Sequence, residues 1–203
     1  LKGIHSETYS KAKAMLIKVI NEEARRFQFL LNSGNLTEID KELFLGLLKQ
    51  DMNEDTLVYS LRELTELLNK HFQQKVIVLI DEYDVPLDKA YQNGYYREMV
   101  SLIRGLFGQA LKTNDYLQFA FLTGCLRVSK ESIFTGLNNF KVYPITNVAF
   151  DEYFGFTDFE VKEILKYYHQ TGQYETVKTW YDGYHFGDVD IYCPWDVICF
   201  CED

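Results

Sequence analysis

No apolar run in this chain of 203 residues approaches the roughly 18 residues that a membrane-spanning helix needs. The opening Leu1-Lys-Gly-Ile-His-Ser6 is short and mixed in polarity, which does not suit a secretory signal. Cysteine is scarce, with only Cys125, Cys193, Cys199 and Cys201. Cys199 and Cys201 stand too close in sequence for an easy bridge, so reduced thiols and a cytoplasmic location are expected. A zinc site from Cys193, Cys199, Cys201 and His185 lacks paired C-x₂-C knuckles and is set aside. Positive charge is short too: 21 Lys and Arg face 30 Asp and Glu, a formal net charge of −9. A broad phosphate-backbone footprint needs clustered Lys and Arg, so nucleic-acid contact is expected only through some other domain. No G-x-x-x-x-G-K-[ST] occurs either; Gly3, Gly34 and Gly46 are not followed by Lys-Ser or Lys-Thr. A Gly-rich phosphate cradle is therefore missing from these residues.

Aromatic residues are abundant: 15 Tyr and 15 Phe within a 47% apolar composition supply a real core. The length suits one domain, or one with a small appendage. The most informative stretch is Lys75-Val-Ile-Val-Leu-Ile-Asp-Glu-Tyr-Asp84, where five apolar residues run into three carboxylates. A continuous run of this kind, rich in β-branched residues, predicts a strand buried on both faces of a parallel sheet. Ligands of open α/β sheets sit outside the carboxyl ends of such strands. An apolar strand followed by Asp-Glu is the pattern of a Walker B site, in which the Asp holds Mg²⁺ and the Glu polarises water. The plainer alternative is an acidic turn capping the next helix.

Helical periodicity is expected over residues 7–31, capped by Ser6-Glu7 and broken at Asn32-Ser-Gly-Asn35. Further helices are expected over 37–49 and from 53, the latter with Leu57, Leu61, Leu64, Leu67 and Leu68 as its buried stripe. Pro86 and Asn93-Gly94 bracket an expected loop, followed by a helix over 95–112 and a second buried strand over 116–122. Residues 140–145 are a third strand candidate. Helical periodicity returns at 158–169 and 173–181, Tyr184-His-Phe-Gly187 reads as a loop, and Pro194 opens a last helix. Strands alternating with helices predict an α/β fold with a parallel sheet, residues 1–150 forming the core and 151–203 a helical lid region.

The second strand runs into Leu122-Thr-Gly-Cys-Leu-Arg127. If it lies beside the first, Thr123 shares the crevice with Asp81 and Glu82 and can orient a water or phosphate. Arg127 offers a planar fork that suits phosphate oxygens. The alternatives are a plain strand-ending turn for Thr123-Gly124 and, for Arg127, a structural pair with Glu131 or Asp84.

Six ordered motifs carry a resemblance: Asp81-Glu-Tyr-Asp-Val-Pro-Leu87, Leu122-Thr-Gly-Cys-Leu-Arg127, Ser129-Lys-Glu-Ser-Ile-Phe134, Gly136-Leu-Asn-Asn139, Tyr153-Phe-Gly-Phe-Thr157 and Trp180-Tyr-Asp-Gly-Tyr-His-Phe186. Together they resemble the AAA-ATPase-like family of predicted bacterial and archaeal ATPases, over essentially the whole chain. The resemblance implies a parallel-sheet P-loop NTPase-like core of the AAA/ASCE type, with ATP and Mg²⁺ as cofactors. It implies Asp81 as the metal residue, Glu82 as the water-activating acid, Thr123 as the polar sensor and Arg127 as a phosphate or inter-subunit sensor. Members usually carry a PD-(D/E)XK nuclease-like domain downstream. The block from Trp180 to Phe186 falls in the lid, where aromatic packing is the favoured role. Tyr192-Cys-Pro-Trp-Asp196 stands where many members have Asn-Pro-Trp-Ser.

The departure is the absent strand, Gly-rich Lys-Thr/Ser loop and helix that the family has ahead of this segment. The chain is therefore expected to be an excised piece lacking its first strand, with little turnover of its own. A bare strand edge is expected to invite self-association. Two further readings compete with the ATPase. One is a non-catalytic interaction or switch domain with vestigial acids. The other is a stand-alone Mg²⁺-dependent phosphoesterase or nuclease built on Asp81, Glu82 and Asp84.

Overall fold

Thr8 rather than Ser6 starts the first helix. Its hydroxyl accepts from the Lys11 amide at 3.5 Å, and α1 runs over Tyr9–Arg25. A 3₁₀ turn at Gln28–Asn32 ends the segment. Thr37 and Asp40 form a reciprocal capping box that opens α2, Glu38–Leu47. Asn53 caps α3, Glu54–Phe72. These elements come from a computed structural model that describes residues 1, 3–125 and 140–202. Chain contacts divide it into two units, Leu1–Asn139 and Phe140–Asp203.

In the first unit, strand β1, Val76–Ile80, is followed by helices α4, Val85–Gln92, and α5, Tyr96–Leu111, and then by β2, Leu117–Leu122. The strands are adjacent and parallel, with Ile80 opposite Leu122 in register. The arrangement is mixed α/β, and a parallel pair requires the long crossover that α4 and α5 provide. α4 corrects the loop expected after the acids. Pro86 sits in the first turn of a helix, where its missing N–H is tolerated, and Gly94 (φ +81°) follows the helix end.

The core comprises Leu16 and Ala24 of α1, Phe44 and Leu47 of α2, Leu57 and Leu67 of α3, and Met99, Ile103, Leu106 and Phe107 of α5, all buried. α3 packs against β1 and α5 against β2. The expectation that β1 is buried on both faces does not hold. Ile80 is 8% exposed, whereas Ile77 is 49%, Leu79 75% and Phe119 of β2 50% exposed. An apolar run shows that neither face carries charge; whether both faces are covered depends on where the helices pack.

The second unit also differs from expectation. Residues 140–145 form no strand, consistent with Pro144 and the exposure of Val142 and Ile145. Besides its helices, the unit holds a three-stranded antiparallel sheet that helical periodicity did not announce. β3, Phe156–Thr157, precedes α6, Asp158–Tyr167, and α7, Tyr174–Tyr181. β4, Asp182–Phe186, and β5, Val189–Tyr192, then form a hairpin, followed by α8, Pro194–Glu202. Tyr184, His185 and Phe186 therefore lie in a strand rather than in the expected loop. The sheet order is β3-β5-β4. The Gly187-Asp188 turn makes the hairpin possible, because Gly187 takes φ +53° without a Cβ penalty. Val161, Leu165, Val177, Tyr192, Val197 and Cys201 form this unit's core. Among the described residues no helix is long and apolar enough to cross a membrane.

Candidate functional site

The parallel register of β1 and β2 brings the acids and Thr123 together at one sheet end. The Thr123 amide donates to the Ile80 carbonyl at 3.0 Å, and the Tyr83 amide donates to the Thr123 carbonyl at 3.0 Å. Hydrogen bonding therefore continues beyond both strands and ties the two turns to each other. The Thr123 hydroxyl donates to Oδ1 of Asp81, which also accepts from the Glu82 amide at 3.0 Å.

Glu82 has φ +49°, a left-handed conformation that is uncommon outside glycine and costs roughly 1–2 kcal/mol. That kink ends the strand and turns the chain, so that the Tyr83 amide reaches Thr123 and α4 can start soon after. Strained backbone of this kind clusters at functional sites.

Asp81 is exposed, Glu82 partly buried, and Asp84 only 3% exposed. Asp84 is the N-cap residue of α4, and its carbonyl accepts from the Leu87 and Asp88 amides, both at 3.0 Å. Its side chain makes no capping bond to the helix amides. It lies instead against Gly124, where an added Cβ would stand 2.6 Å from Oδ1 of Asp84 and 2.8 Å from the Tyr83 ring. Three acids close together in sequence thus occupy three environments.

One exposed carboxylate beside Glu82 at this strand end fits an ion like Mg²⁺, which keeps several waters and draws other ligands from a phosphate chain. Among the described residues no group of three or more His, Cys, Asp or Glu is arranged to hold a metal ion, so these acids do not form a protein-only cage. Arg127 lies outside the described residues, as do the motifs at 129–134 and 136–139.

In the second unit, packing accounts for only part of the block from Trp180 to Phe186. Tyr181 meets Phe200 with ring centroids 5.9 Å apart, whereas Trp180 is 76% and Tyr184 56% exposed. Sequence reasoning missed a polar cluster in this unit. Asp158 accepts from the hydroxyls of Tyr174 and Tyr192, the latter at 2.8 Å, and it pairs with Lys162 at 2.7 Å. Burial would raise the Asp158 carboxyl, but these hydrogen bonds outweigh it and hold the group well below the usual carboxylate range. Burial, with the bond to Asp158, pushes the Tyr192 hydroxyl far above its ordinary value. No sequence signal links residues so far apart along the chain before the sheet forms.

A family profile described as Predicted AAA-ATPase (AAA-ATPase_like) matches residues 1–134, which include every described residue of the β1–β2 site. The chain is also similar to a curated protein from Azotobacter chroococcum mcd 1, described as "Uncharacterized protein in vnfD 5'region". The two are 29% identical over 126 residues, a stretch that is 62% of this chain and 24% of that protein. The match thus spans about a quarter of the relative's length. No solved structure matches the chain.

Proposed function

The chain belongs to the AAA-ATPase-like family, and on that premise we propose that the end of the β1–β2 pair is the metal-and-water half of a nucleotide-hydrolysis site. The observation that carries the reading is the hydrogen bond from Thr123 to Asp81 at two parallel strand ends, with Glu82 beside it. Asp81 acts as the Walker B residue that holds Mg²⁺ together with phosphate oxygens of ATP. When bound, the ion neutralises charge on the phosphates and polarises them toward attack. Glu82 accepts a hydrogen bond from the attacking water and orients it toward the terminal phosphate. Thr123 keeps the Asp81 carboxylate in place and can orient the same water. Arg127 takes a phosphate-sensing role by family resemblance alone. By family resemblance, ATP binding and hydrolysis at this site are coupled to a further, nuclease-like domain.

The phosphate cradle is not among these 203 residues, so tight nucleotide binding needs groups beyond them. The stand-alone phosphoesterase is the weaker reading, because Asp84 is buried against Gly124 rather than offered to a shared metal. Calorimetric titration with Mg·ATP and a phosphate-release assay test the proposal on this chain and on the full-length gene product. Hydrolysis by the full-length product that Glu82→Gln abolishes supports it. Turnover by the 203 residues alone promotes the phosphoesterase. A full-length product that neither binds nor hydrolyses ATP is a non-catalytic switch domain.

A further inference from the structure

Asp84 is the acid of the cluster that the hydrolysis scheme leaves without a task. It is also the one whose placement the fold specifies most tightly. An Asp at an N-cap ordinarily accepts from the second or third helix amide through its side chain. Here the side chain makes no such bond; the residue is 3% exposed and its carboxylate is packed on Gly124.

The contact joins two loops that are remote in sequence. On one side stands the turn of Asp81, Glu82 and Tyr83. On the other stands the turn of Thr123 and Gly124. Glycine suits position 124, since a methyl group there would stand 2.6 Å from the Asp84 carboxylate and 2.8 Å from the Tyr83 ring. The same two turns are stitched by the Tyr83 amide to the Thr123 carbonyl and by the Thr123 amide to the Ile80 carbonyl, each at 3.0 Å. A carboxylate wedged beside this pair of bonds limits how the turns can approach or slide.

We infer that Asp84 is a positioning residue: its carboxylate, packed on the backbone of Gly124, sets the spacing between the turn carrying Asp81 and Glu82 and the turn carrying Thr123. The inference rests on the nucleotide-hydrolysis reading for its functional consequence. A metal residue and a water-orienting acid work only at fixed separation, and a misplacement of about 1 Å can cost about a hundredfold in rate. Asp84 acts through its neighbours and touches no reacting atom.

The test has two readouts. Amide hydrogen exchange in the 203-residue chain reports the Tyr83 and Thr123 amides directly. Asp84→Ala and Gly124→Ala are each expected to speed their exchange by about tenfold or more, while core amides of α5 are unchanged. Asp84→Asn, which keeps the shape, is expected to stay near wild type. The double variant Gly124→Ala with Asp84→Ala is expected to exchange more slowly than Gly124→Ala alone, because removing the carboxylate relieves the closer of the methyl's two crowded contacts. Unchanged exchange in Asp84→Ala overturns the inference, and so does acceleration spread evenly over α5. Asp84→Asn behaving like Asp84→Ala also overturns it, since charge rather than packed shape would then hold the turns. If Gly124→Ala does not fold, the two Asp84 variants decide.

In the full-length gene product, Asp84→Ala is expected to lower kcat by about tenfold or more, with KM for Mg·ATP within about twofold. A wild-type product that does not hydrolyse ATP removes the hydrolysis reading, while the exchange data still decide whether Asp84 spaces the two turns.

Discussion

Thr123 donates its hydroxyl to the Asp81 carboxylate across 42 residues of sequence, and the parallel pairing of β1 and β2 is what brings them together. Replacing Thr123 by Val keeps nearly the same volume and removes the donor. In the full-length gene product, Thr123→Val is expected to lower the rate of ATP hydrolysis by about ten- to a hundredfold, and Thr123→Ser to restore most of it. An equal loss in both variants, read by phosphate release, would show that the hydroxyl is not what matters.

Glu82 and Asp81 are expected to fail in different ways. Glu82→Gln keeps the shape but weakens the pull on water, so hydrolysis should drop by about 10²–10⁴ while ATP still binds. Asp81→Asn removes the charge that holds the ion, so Mg²⁺-dependent binding itself should weaken. Titration calorimetry on both variants separates the two; identical binding and rate profiles would remove this division of roles.

Leu79 stands 75% exposed beside Ile77 and Phe119 on an apolar sheet surface. Exposed apolar surface promotes association. Sedimentation velocity is expected to detect concentration-dependent association of the chain, reduced by Leu79→Lys. A wild-type sedimentation coefficient that does not change with concentration would count against it.

Gly155 has no room for a side chain. A Cβ there would press into the Ile191 side chain and stand 2.9 Å from the Tyr192 carbonyl oxygen. Gly155→Ala is expected to destabilise the second unit by about 1–3 kcal/mol, the usual range for overpacking. Both tryptophans, Trp180 and Trp195, belong to that unit, so the fluorescence midpoint in urea measures it selectively.

Asp158 makes the same unit sensitive to acid. Its carboxyl is held below the ordinary value, so the stabilisation it provides is present above the unfolded pKa of about 4 and is lost as pH falls through the lower folded value. Tryptophan-detected urea midpoints should therefore fall as the pH is lowered below about 4. Tyr192→Phe removes one donor, brings the folded pKa nearer the unfolded one, and should flatten that slope. An unchanged slope would mean that the hydrogen bond does not set the titration.

The helices are legible in the sequence because their caps and apolar spacing are local. Thr37 with Asp40 and Thr157 with Glu160 form capping boxes within a single turn, and the Leu57 to Leu68 stripe repeats at helical intervals. The strands β1 and β2 are legible on the same short-range evidence, and their adjacency follows from the crossover between them. Some local signals mislead. Pro86 and Asn93-Gly94 suggest a loop, although proline is also suited to the first turn of a helix such as α4. Residues 140–145 look like a strand, and among the described residues none pairs with them as one.

The sequence by itself determined which residues could do chemistry: Asp81, Glu82, Asp84 and Thr123 stand at the ends of apolar runs, and side-chain type and short-range order are properties of the chain alone. Only the tertiary structure decided how the acids divide. It exposed Asp81, kinked the backbone at Glu82 and buried Asp84 against Gly124. It also left Leu79 outside and gathered Tyr174 and Tyr192 onto Asp158. Burial and contact between distant residues depend on which elements pack on which face, and that is settled by the assembled fold rather than by any short stretch of sequence.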